Sequence, residues 1–487
     1  MRGLRIVFGM LGASLLFFTG NGQVAIQDIG NLGGSPSTAI PGGMSSNGDY
    51  VVGYSMSKSG LSAFIWSKPA GKMTILDHGK GTGATQAKAY DVSSDGRVVV
   101  GDCKLTGGGY EGMIWKDGVA QSVVSEYPCA VYGVSNDGTT LALTSTFTDG
   151  PYKKSGAHIW EDFESLTSMR LPMPLFVPPG GFPIGSLTGS LPYDISGDGT
   201  TLVGISMTSM ARNAVRWVYR SPQPGMDPEW EVHTFEEYPD SESSYAYGVS
   251  YNGTAVAGLS REEVDLGGGE FEWQWHAFKW TEPDTFVFLQ PLPGDNYSEA
   301  TAISDDGDVV VGASGQDGPD EAVYWDKDGI HKLADEVNVP EGWQLRGVKG
   351  VNRIGTCMTG WGTNANGNFT WVLTGLFRDG LQDAEDRGDG WAESEWYGFF
   401  WRAGKSHVWH FAHGWEYVPK GNRDSVMVYD YGLGQWVWNH QEVYPFLYMY
   451  GDEASWMWFY EGTQPGDRWF FHYGKNKWIA EANLSEG

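Results

Sequence analysis

Short runs of β-branched and other apolar residues, separated by polar turns that contain Gly, repeat along residues 26–376. The turns follow the pattern Ser-x-Asp/Asn-Gly and usually come directly after Val or Ile. They begin at Ser45, Ser93, Ser135, Ser196, Ser250, Ser304 and, in a degenerate seventh copy, Asn352. Asn-Gly and Asp-Gly favour two-residue hairpin turns, in which both central residues have positive φ. The pattern therefore predicts a β-hairpin turn in every copy.

Two further positions recur after each turn. Eight residues after its first residue stand Gly53, Gly101, Leu143, Gly204, Gly258, Gly312 and Gly360. A tryptophan follows at Trp66, Trp115, Trp160, Trp217, Trp280, Trp325 and Trp371. The Val-rich run before the glycine is typical of a strand buried on both faces, and the glycine indicates a close approach of backbones. Each copy thus predicts a four-stranded antiparallel unit with a core tryptophan.

Seven such units predict a seven-bladed β-propeller. The segment before the first unit is expected to supply one of its strands. Ile26–Gly34 is typical of the last strand of a blade that lacks its earlier strands. We expect it to pair with the seventh unit around Trp371–Leu373, which would close the ring and protect the open sheet edges. The rival architecture is a linear β-solenoid, which needs capping units that the sequence lacks.

The repeat resembles the bacterial extracellular repeat family named for a His-Ala-Phe tripeptide. The tripeptide stands intact at His276-Ala277-Phe278 and is mostly preserved in Ala63-Phe64-Ile65-Trp66. That family's motif Asp-Leu-Gly-x-Leu-Gly-Gly is similar to the segment Asp28-Ile29-Gly30-Asn31-Leu32-Gly33-Gly34. The resemblance implies export and a propeller-like fold, and it implies no activity. The sequence departs from the family pattern at Leu143 and at the seventh turn.

The C-terminal part of the chain has a different pattern, rich in aromatic residues. Residues 391–487 hold 11 of the 23 tryptophans and repeat themselves at an offset of 41 or 42 residues. Their alternation predicts a small β-hairpin module. Two interpretations are open. The rings hold glycans or cell-wall polymers, or they form the core of a domain that lacks aliphatic residues. The candidate glycan contacts are Trp415, Trp436, Trp456 and Trp478.

The N-terminus predicts export. Arg2 and Arg5 precede an apolar stretch over residues 6–18, and small residues follow at Gly20 and Gly22. This order is typical of a signal peptide. We therefore expect a signal peptide at 1–22, a propeller at 23–377, a linker at 378–390 and the aromatic-rich module at 391–487. No later stretch is long and apolar enough for a membrane span, so we expect a mature chain that is secreted or attached to the cell surface.

Two segments within the repeats are predicted to be surface loops. Residues 171–180 are Pro-rich and cannot pair as a central strand. Residues 262–275 are acidic and contain Gly267-Gly268-Gly269.

Charge and cysteine content narrow the classes of partner. The 32 Lys and Arg against 60 Asp and Glu give a net charge of −28. Such a surface repels phosphate backbones, which argues against a nucleic-acid partner. In an exported protein, two of Cys103, Cys129 and Cys357 could form a disulfide and leave one thiol, although scattered structural cysteines are the simpler interpretation.

No catalytic motif is present in the sequence. The sialidase box, the Gly-x-Ser-x-Gly elbow, the phosphate loop and the His-Glu-x-x-His motif are all absent. His407, His410 and His413 have the spacing of metal ligands on a helix, but they lie in a predicted strand, so we expect no metal and no cofactor. The favoured hypothesis is a non-catalytic scaffold that binds a glycan or protein. The alternative is a polysaccharide hydrolase or lyase with carboxylates near the propeller axis.

Overall fold

A computed structural model describes residues 25–484, apart from short internal gaps. These gaps are residues 37, 79–83, 124–128, 150–151, 162–168, 172–186, 209–211, 221–228, 236–242, 268–269, 306, 354, 377–380, 382–383, 389, 395, 404–406, 419–424 and 451–453. The predicted signal peptide and most of the Pro-rich segment lie outside the described residues.

The chain is all-β, as predicted, and its first strand is β1 (Ala25–Asp28). Four-stranded groups with antiparallel pairing follow in chain order, and the third and fourth of them join into one eight-stranded sheet through a parallel bridge between Ser155 and Gly189. Group 1 consists of β2 (Ala39–Met44), β3 (Tyr50–Ser57), β4 (Gly60–Ser67) and β5 (Lys72–Ile75). Group 2 consists of β6 (Ala84–Val92), β7 (Val98–Leu105), β8 (Tyr110–Lys116) and β9 (Val119–Ser122). Group 3 consists of β10 (Cys129–Val134), β11 (Thr140–Asp149), β12 (Tyr152–Glu161) and β13 (Met169–Arg170).

Groups 4 to 6 repeat this arrangement. Group 4 consists of β14 (Leu187–Ile195), β15 (Thr201–Thr208), β16 (Arg212–Arg220) and β17 (Glu229–Thr234). Group 5 consists of β18 (Ser244–Val249), β19 (Ala255–Gly267), β20 (Glu270–Thr281) and β21 (Thr285–Leu289). Group 6 consists of β22 (Tyr297–Ile303), β23 (Val310–Gly315), β24 (Glu321–Asp326) and β25 (Gly329–Lys332). The short helix α1 (Leu333–Glu336) comes next.

Group 7 combines the two ends of the repeat region. Its strands from the end of that region are β26 (Gln344–Val351), β27 (Met358–Asn364) and β28 (Gly367–Thr374). β1 is its fourth strand and pairs antiparallel with β28, with Ile26 opposite Leu373 and Asp28 opposite Trp371. This is the partner strand expected for the N-terminal segment.

Successive groups share hydrophobic clusters, and so do the last and the first. One cluster joins Phe64 and Trp66 of group 1 with Val372 of group 7 and with Ile29, which follows β1. The recurring tryptophans lie on the third strand of each group and are all buried. They therefore occupy the core positions that the sequence predicts.

The turns differ from the predicted two-residue hairpins. Gly48 has φ 77°, but Asn47 is not in the left-handed region, so only one of the two central residues has positive φ. The Ser45 hydroxyl donates to the Asn47 side chain and accepts the Tyr50 N–H, while the Ser45 carbonyl accepts the Gly48 N–H. The serine thus stabilises a longer, four-residue loop, and the other serine copies repeat its acceptor role.

In groups 1, 2 and 4 to 7 the glycine eight residues after the turn start is a site of close backbone approach, as predicted, whereas group 3 has Leu143 at this position. A Cβ on Gly312 would lie 1.8 Å from the Glu299 carbonyl oxygen, and one on Gly101 would lie 1.9 Å from that of Lys88. Each of these glycines faces a β-bulge in the first strand of its group, and the bulge pushes the carbonyl toward it.

The rest of the chain forms one antiparallel sheet, which we call the C-terminal sheet. Its first strands are β29 (Glu385–Gly388), β30 (Trp391–Ser394), β31 (Gly398–Arg402), β32 (His407–His410), β33 (Gly414–Tyr417) and β34 (Ser425–Asp430). The others are β35 (Gln435–His440), β36 (Phe446–Met449), β37 (Ser455–Phe459), β38 (Trp469–His472) and β39 (Lys477–Ala480), before a 3-10 turn at Glu481–Asn483. Neighbouring strands pair in chain order.

Two predictions about connections need correction. The segment 378–390 is not a plain linker, because Leu381 and Ala384 are buried in the core of the C-terminal sheet and β29 is its first strand. The acidic segment 262–275 is not a loop, because β19 and β20 extend through it as a long hairpin. In both places a polar composition concealed backbone pairing.

All three cysteines are buried and free. In the described part of the chain, no helix has the length and apolar character needed to cross a membrane.

Candidate functional site

The two faces of the C-terminal sheet differ, although apolar side chains are prominent on both. Its inner face forms one core that includes Val408, Val428, Leu447 and Met457. Its outer face carries aromatic side chains on strand after strand. In β37, Ser455, Met457 and Phe459 point inward, whereas Trp456 and Trp458 point outward. The predicted alternation is therefore present, with rings at the positions that are usually polar.

All four candidate tryptophans lie on this outer face. Trp415 is 46% exposed, Trp436 38%, Trp456 41% and Trp478 44%. Further exposed rings accompany them on the same sheet, at Phe399, Phe411, Tyr431, Phe446, Tyr450, Tyr460, Trp469 and Tyr473. We call this surface the aromatic face.

Rings of the aromatic face contact one another across strands. Trp456 meets Trp438 at 5.9 Å and Tyr448 at 5.6 Å between ring centroids, both nearly perpendicular. Trp478 meets Phe471 at 5.6 Å and Tyr460 at 5.7 Å, also nearly perpendicular. Edge-to-face pairs are favourable and hold each ring in place. The face is therefore a fixed array of rings that still leaves large parts of the four tryptophans open to solvent.

The interpretation of the rings as a core without aliphatic residues is wrong for these four tryptophans. The core contains many aliphatic residues, with fewer rings such as Phe400 and Phe470. The 41- or 42-residue offset relates positions four strands apart, so Trp415 on β33 and Trp456 on β37 occupy equivalent outward positions.

His407 lies apart from His410 and His413, whose rings stack at 4.6 Å between centroids. His407 is exposed, and its Nε2 lies 3.1 Å from the Tyr431 hydroxyl. His410 and His413 are buried, and burial lowers the pKa of His410 to about 4. Nε2 of His413 lies 3.0 Å from the Tyr444 hydroxyl.

A buried polar network surrounds His413. Potential metal-ligand atoms of His413, Glu416 and Asp430 lie within 4.8 Å of one another. Asp430, however, already holds the buried Arg468 guanidinium through two hydrogen bonds. The Tyr397 hydroxyl lies 2.8 Å and 2.9 Å from the two oxygens of Glu416. Burial, and then the charge of Asp430, raise the pKa of Glu416 to about 8. The cluster is therefore a hydrogen-bonded part of the core.

A second candidate site, the central cavity, is lined by the first strands of all seven groups and has a volume of about 140 Å³. Each first strand has a β-bulge there, and the extra residue lines the cavity. These extra residues are Gly42, Tyr90, Tyr132, Tyr193, Tyr247, Thr301 and Lys349.

Three carboxylates also line the central cavity. Asp91 accepts the N–H groups of Val92 and Val134 at 2.8 Å each, and Asp194 accepts those of Ile195 and Val249. Burial raises the pKa of Asp91 to about 6. Burial, and then the charge of Asp91, raise the pKa of Asp194 as well. Both acids join neighbouring groups through backbone hydrogen bonds.

The third carboxylate lies at the turn end of the cavity. Asp305 in group 6 accepts hydrogen bonds from the Ser46 hydroxyl at 2.7 Å and from the Asn136 amide at 2.9 Å. These partners belong to groups 1 and 3, so the carboxylate links three groups at this end of the cavity.

Sequence reasoning named the tryptophans and missed the central cavity. One signal was present: a tyrosine stands three residues before the turn serine at Tyr90, Tyr132, Tyr193 and Tyr247. These tyrosines line the cavity only because of the β-bulge, and no sequence pattern predicted the bulge.

Comparisons with known proteins place the chain in no family. No model of a known protein family matches the sequence, and no curated protein matches it. Among solved structures, the chain is similar to a putative TolB from Agrobacterium tumefaciens, with 16% identity and a TM-score of 0.34 over 52% of this chain and 80% of that one.

Two enzymes show a comparable likeness. An oligogalacturonate lyase from Vibrio parahaemolyticus shares 10% identity at a TM-score of 0.44, over 72% of this chain and 97% of that one. An acylaminoacyl peptidase from Pyrococcus horikoshii shares 10% identity at a TM-score of 0.44, over 71% of this chain and 52% of that one. Likeness at this level carries no functional assignment.

Proposed function

We propose that this protein is an exported, non-catalytic scaffold that holds a neutral polysaccharide on the aromatic face. The observation that carries the proposal is the outward placement of Trp415, Trp436, Trp456 and Trp478 on a sheet that has a separate, filled core. Large exposed apolar patches mark interaction surfaces, because burying them on a partner is favourable. The predicted signal peptide at 1–22 and the resemblance to the His-Ala-Phe repeat family support export.

A repeating polymer fits this surface better than a folded protein or a lipid does. The rings recur with the strands, so a periodic ligand can contact several equivalent rings at once and gain avidity. Tryptophan and tyrosine offer flat apolar faces with polar edges, which suits the mixed surface of a sugar. The net charge of −28 opposes anionic polymers, nucleic acids and anionic lipid surfaces.

We also propose that groups 1 to 7 form the closed seven-bladed β-propeller. Three contacts support closure over a linear solenoid. The N-terminal strand β1 pairs with β28, and a hydrophobic cluster joins groups 7 and 1. The Arg353 N–H of group 7 also donates to the Ser46 carbonyl of group 1 at 2.7 Å.

Binding to insoluble polymers tests the function. The full chain is mixed with cellulose, chitin and bacterial cell walls, and the bound fraction is measured after sedimentation. We expect retention on at least one polymer. Replacing Trp436, Trp456 and Trp478 together by Ala should weaken retention about ten-fold or more, because each lost ring contact costs about 0.5–1 kcal/mol.

A matched control is Trp273→Ala. Trp273 is 37% exposed but lies on β20, away from the C-terminal sheet. Its loss should leave retention unchanged. Lack of retention on every polymer, or equal retention by the triple variant, would refute the proposal. If the chain is retained only on phosphatidylcholine vesicles, the ligand of the aromatic face is a lipid surface and not a polysaccharide.

One observation favours the alternative of a polysaccharide hydrolase or lyase. Asp91 and Asp194 line the central cavity and burial raises the pKa of both, and carboxyl groups with perturbed pKa values in a cleft are candidates for acid and base roles. Their hydrogen bonds to backbone N–H groups support a structural role instead. We expect no new reducing ends or unsaturated products from soluble polysaccharides. Product formation that Asp91→Asn abolishes would establish the enzyme.

A further inference from the structure

We propose that the central cavity binds a single neutral sugar residue, as a second site separate from the aromatic face. The bulges bring four tyrosines side by side along one part of its wall. Ring centroids of Tyr90 and Tyr132 are 5.5 Å apart, those of Tyr132 and Tyr193 6.2 Å, and those of Tyr193 and Tyr247 5.3 Å. This continuous aromatic wall can pack against the C–H face of a sugar.

The cavity also offers unused hydrogen-bond donors. Among the described residues, the hydroxyls of Tyr132, Tyr193 and Tyr247 make no hydrogen bond within the protein, whereas Tyr90 donates to Asp102. Lys349 lines the opposite side and forms no ion pair with any described carboxylate. A ligand that accepts hydrogen bonds would satisfy these groups.

Acceptors lie at the same cavity. Each carboxylate oxygen of Asp91 and Asp194 accepts one backbone N–H, which leaves lone pairs for further donors. Asp305 uses its Oδ2 for Ser46 and Asn136. The lining therefore combines free donors, acceptors and aromatic rings.

This combination selects the chemical class of the ligand. The unpaired charge of Lys349 would repel a cationic ligand, and the three carboxylates would repel an anionic one. An apolar ligand would leave the donors and acceptors without partners. A neutral polyhydroxylated ring uses every kind of group present. The 140 Å³ hold about ten waters at 10–15 Å³ each, which suits one sugar ring rather than a chain.

The test uses saturation-transfer NMR on the full chain with free glucose, galactose, mannose and N-acetylglucosamine, each at millimolar concentration. At least one sugar should receive saturation. The double variant Tyr193→Phe/Tyr247→Phe keeps both rings and removes two hydroxyls that lack protein partners, so it should fold normally. We expect its sugar signal to fall at least about five-fold, a loss of about 1 kcal/mol.

Two comparisons separate this site from the aromatic face. Replacing Trp436, Trp456 and Trp478 by Ala should preserve the signal of the free sugar, and the double tyrosine variant should still be retained on insoluble polymer. Absence of a signal for all four sugars overturns the proposal. So does a signal that survives in the tyrosine variant, or one that only acetate or tetramethylammonium gives.

Discussion

At the scale of single residues, backbone irregularities decide which side chains reach the centre. In six of the seven groups a glycine on the second strand makes room for the carbonyl beside a bulge, and in all seven groups the bulge turns one extra residue toward the cavity. Gly312 lies opposite the bulge around Thr301, within 1.8 Å of the Glu299 oxygen if a Cβ is added. Group 3 has the same bulge opposite Leu143, so the cavity lining follows from the bulge, and the glycine accompanies it in the other six groups.

This geometry predicts the effect of adding one methyl group. Gly312→Ala should reduce the free energy of unfolding by about 3 kcal/mol, since the clash is with backbone and the strand pair must shift. Gly318→Ala is the matched control, because an added Cβ there meets nothing within 4 Å, and it should change stability by less than about 0.5 kcal/mol. Urea titration of both variants measures the difference. Equal losses would contradict the role of the bulge.

At the scale of elements, β1 connects the two ends of the repeat region. It covers the edge of β28, while Ile29, which follows it, packs with Val372 and Trp66. An uncovered edge strand exposes backbone N–H and C=O groups that invite pairing with another chain. The short N-terminal segment therefore stabilises the whole set of groups.

Truncation tests this role of β1. Removing residues 1–32 should lower the free energy of unfolding by about 4 kcal/mol, through loss of the packing of Ile26 and Ile29, and should cause aggregation. Removing residues 1–23 leaves β1 intact and should have no such effect. Thermal unfolding and light scattering report the two outcomes. A truncated chain as stable and monodisperse as the control would show that β1 is dispensable.

At the scale of the whole molecule, acids with raised pKa values in both parts of the chain link stability to pH. Burial raises the pKa of Asp91 in the repeat region to about 6 and of Glu416 in the C-terminal sheet to about 8. Their usual values are 3.8 and 4.5. The folded chain therefore binds protons more tightly than the unfolded chain at these sites. Their contribution to stability is full below about pH 4 and is lost as pH rises toward 8.

Glu416→Gln isolates the larger of these shifts. The amide keeps an acceptor for the Tyr397 hydroxyl but cannot ionise. Between about pH 5 and pH 8 the unfolding free energy of the variant should fall less than that of the original chain, by on the order of 3 kcal/mol. Glu461→Gln, at an exposed position, should follow the original chain. Identical pH profiles for the Glu416 variant and the original chain would contradict the shift.

The sequence by itself determined the local features of this protein. Periodic turns, β-branched runs and buried tryptophans follow from short-range patterns. So does the pairing of the N-terminal segment with the strand around Trp371–Leu373, because an isolated last strand needs a partner. The turn geometry was less well predicted, since the serine hydroxyl competes for the backbone of the loop.

Only the tertiary structure decided which ring faces inward and what meets at the centre. The alternation along β37 divides its side chains between two faces of the sheet, and both faces carry large apolar residues. The sequence pattern therefore could not show that Met457 packs inside while Trp456 lies outside. Likewise, Tyr90 and Lys349 are far apart in the chain, and only the arrangement of the seven groups brings them to one cavity.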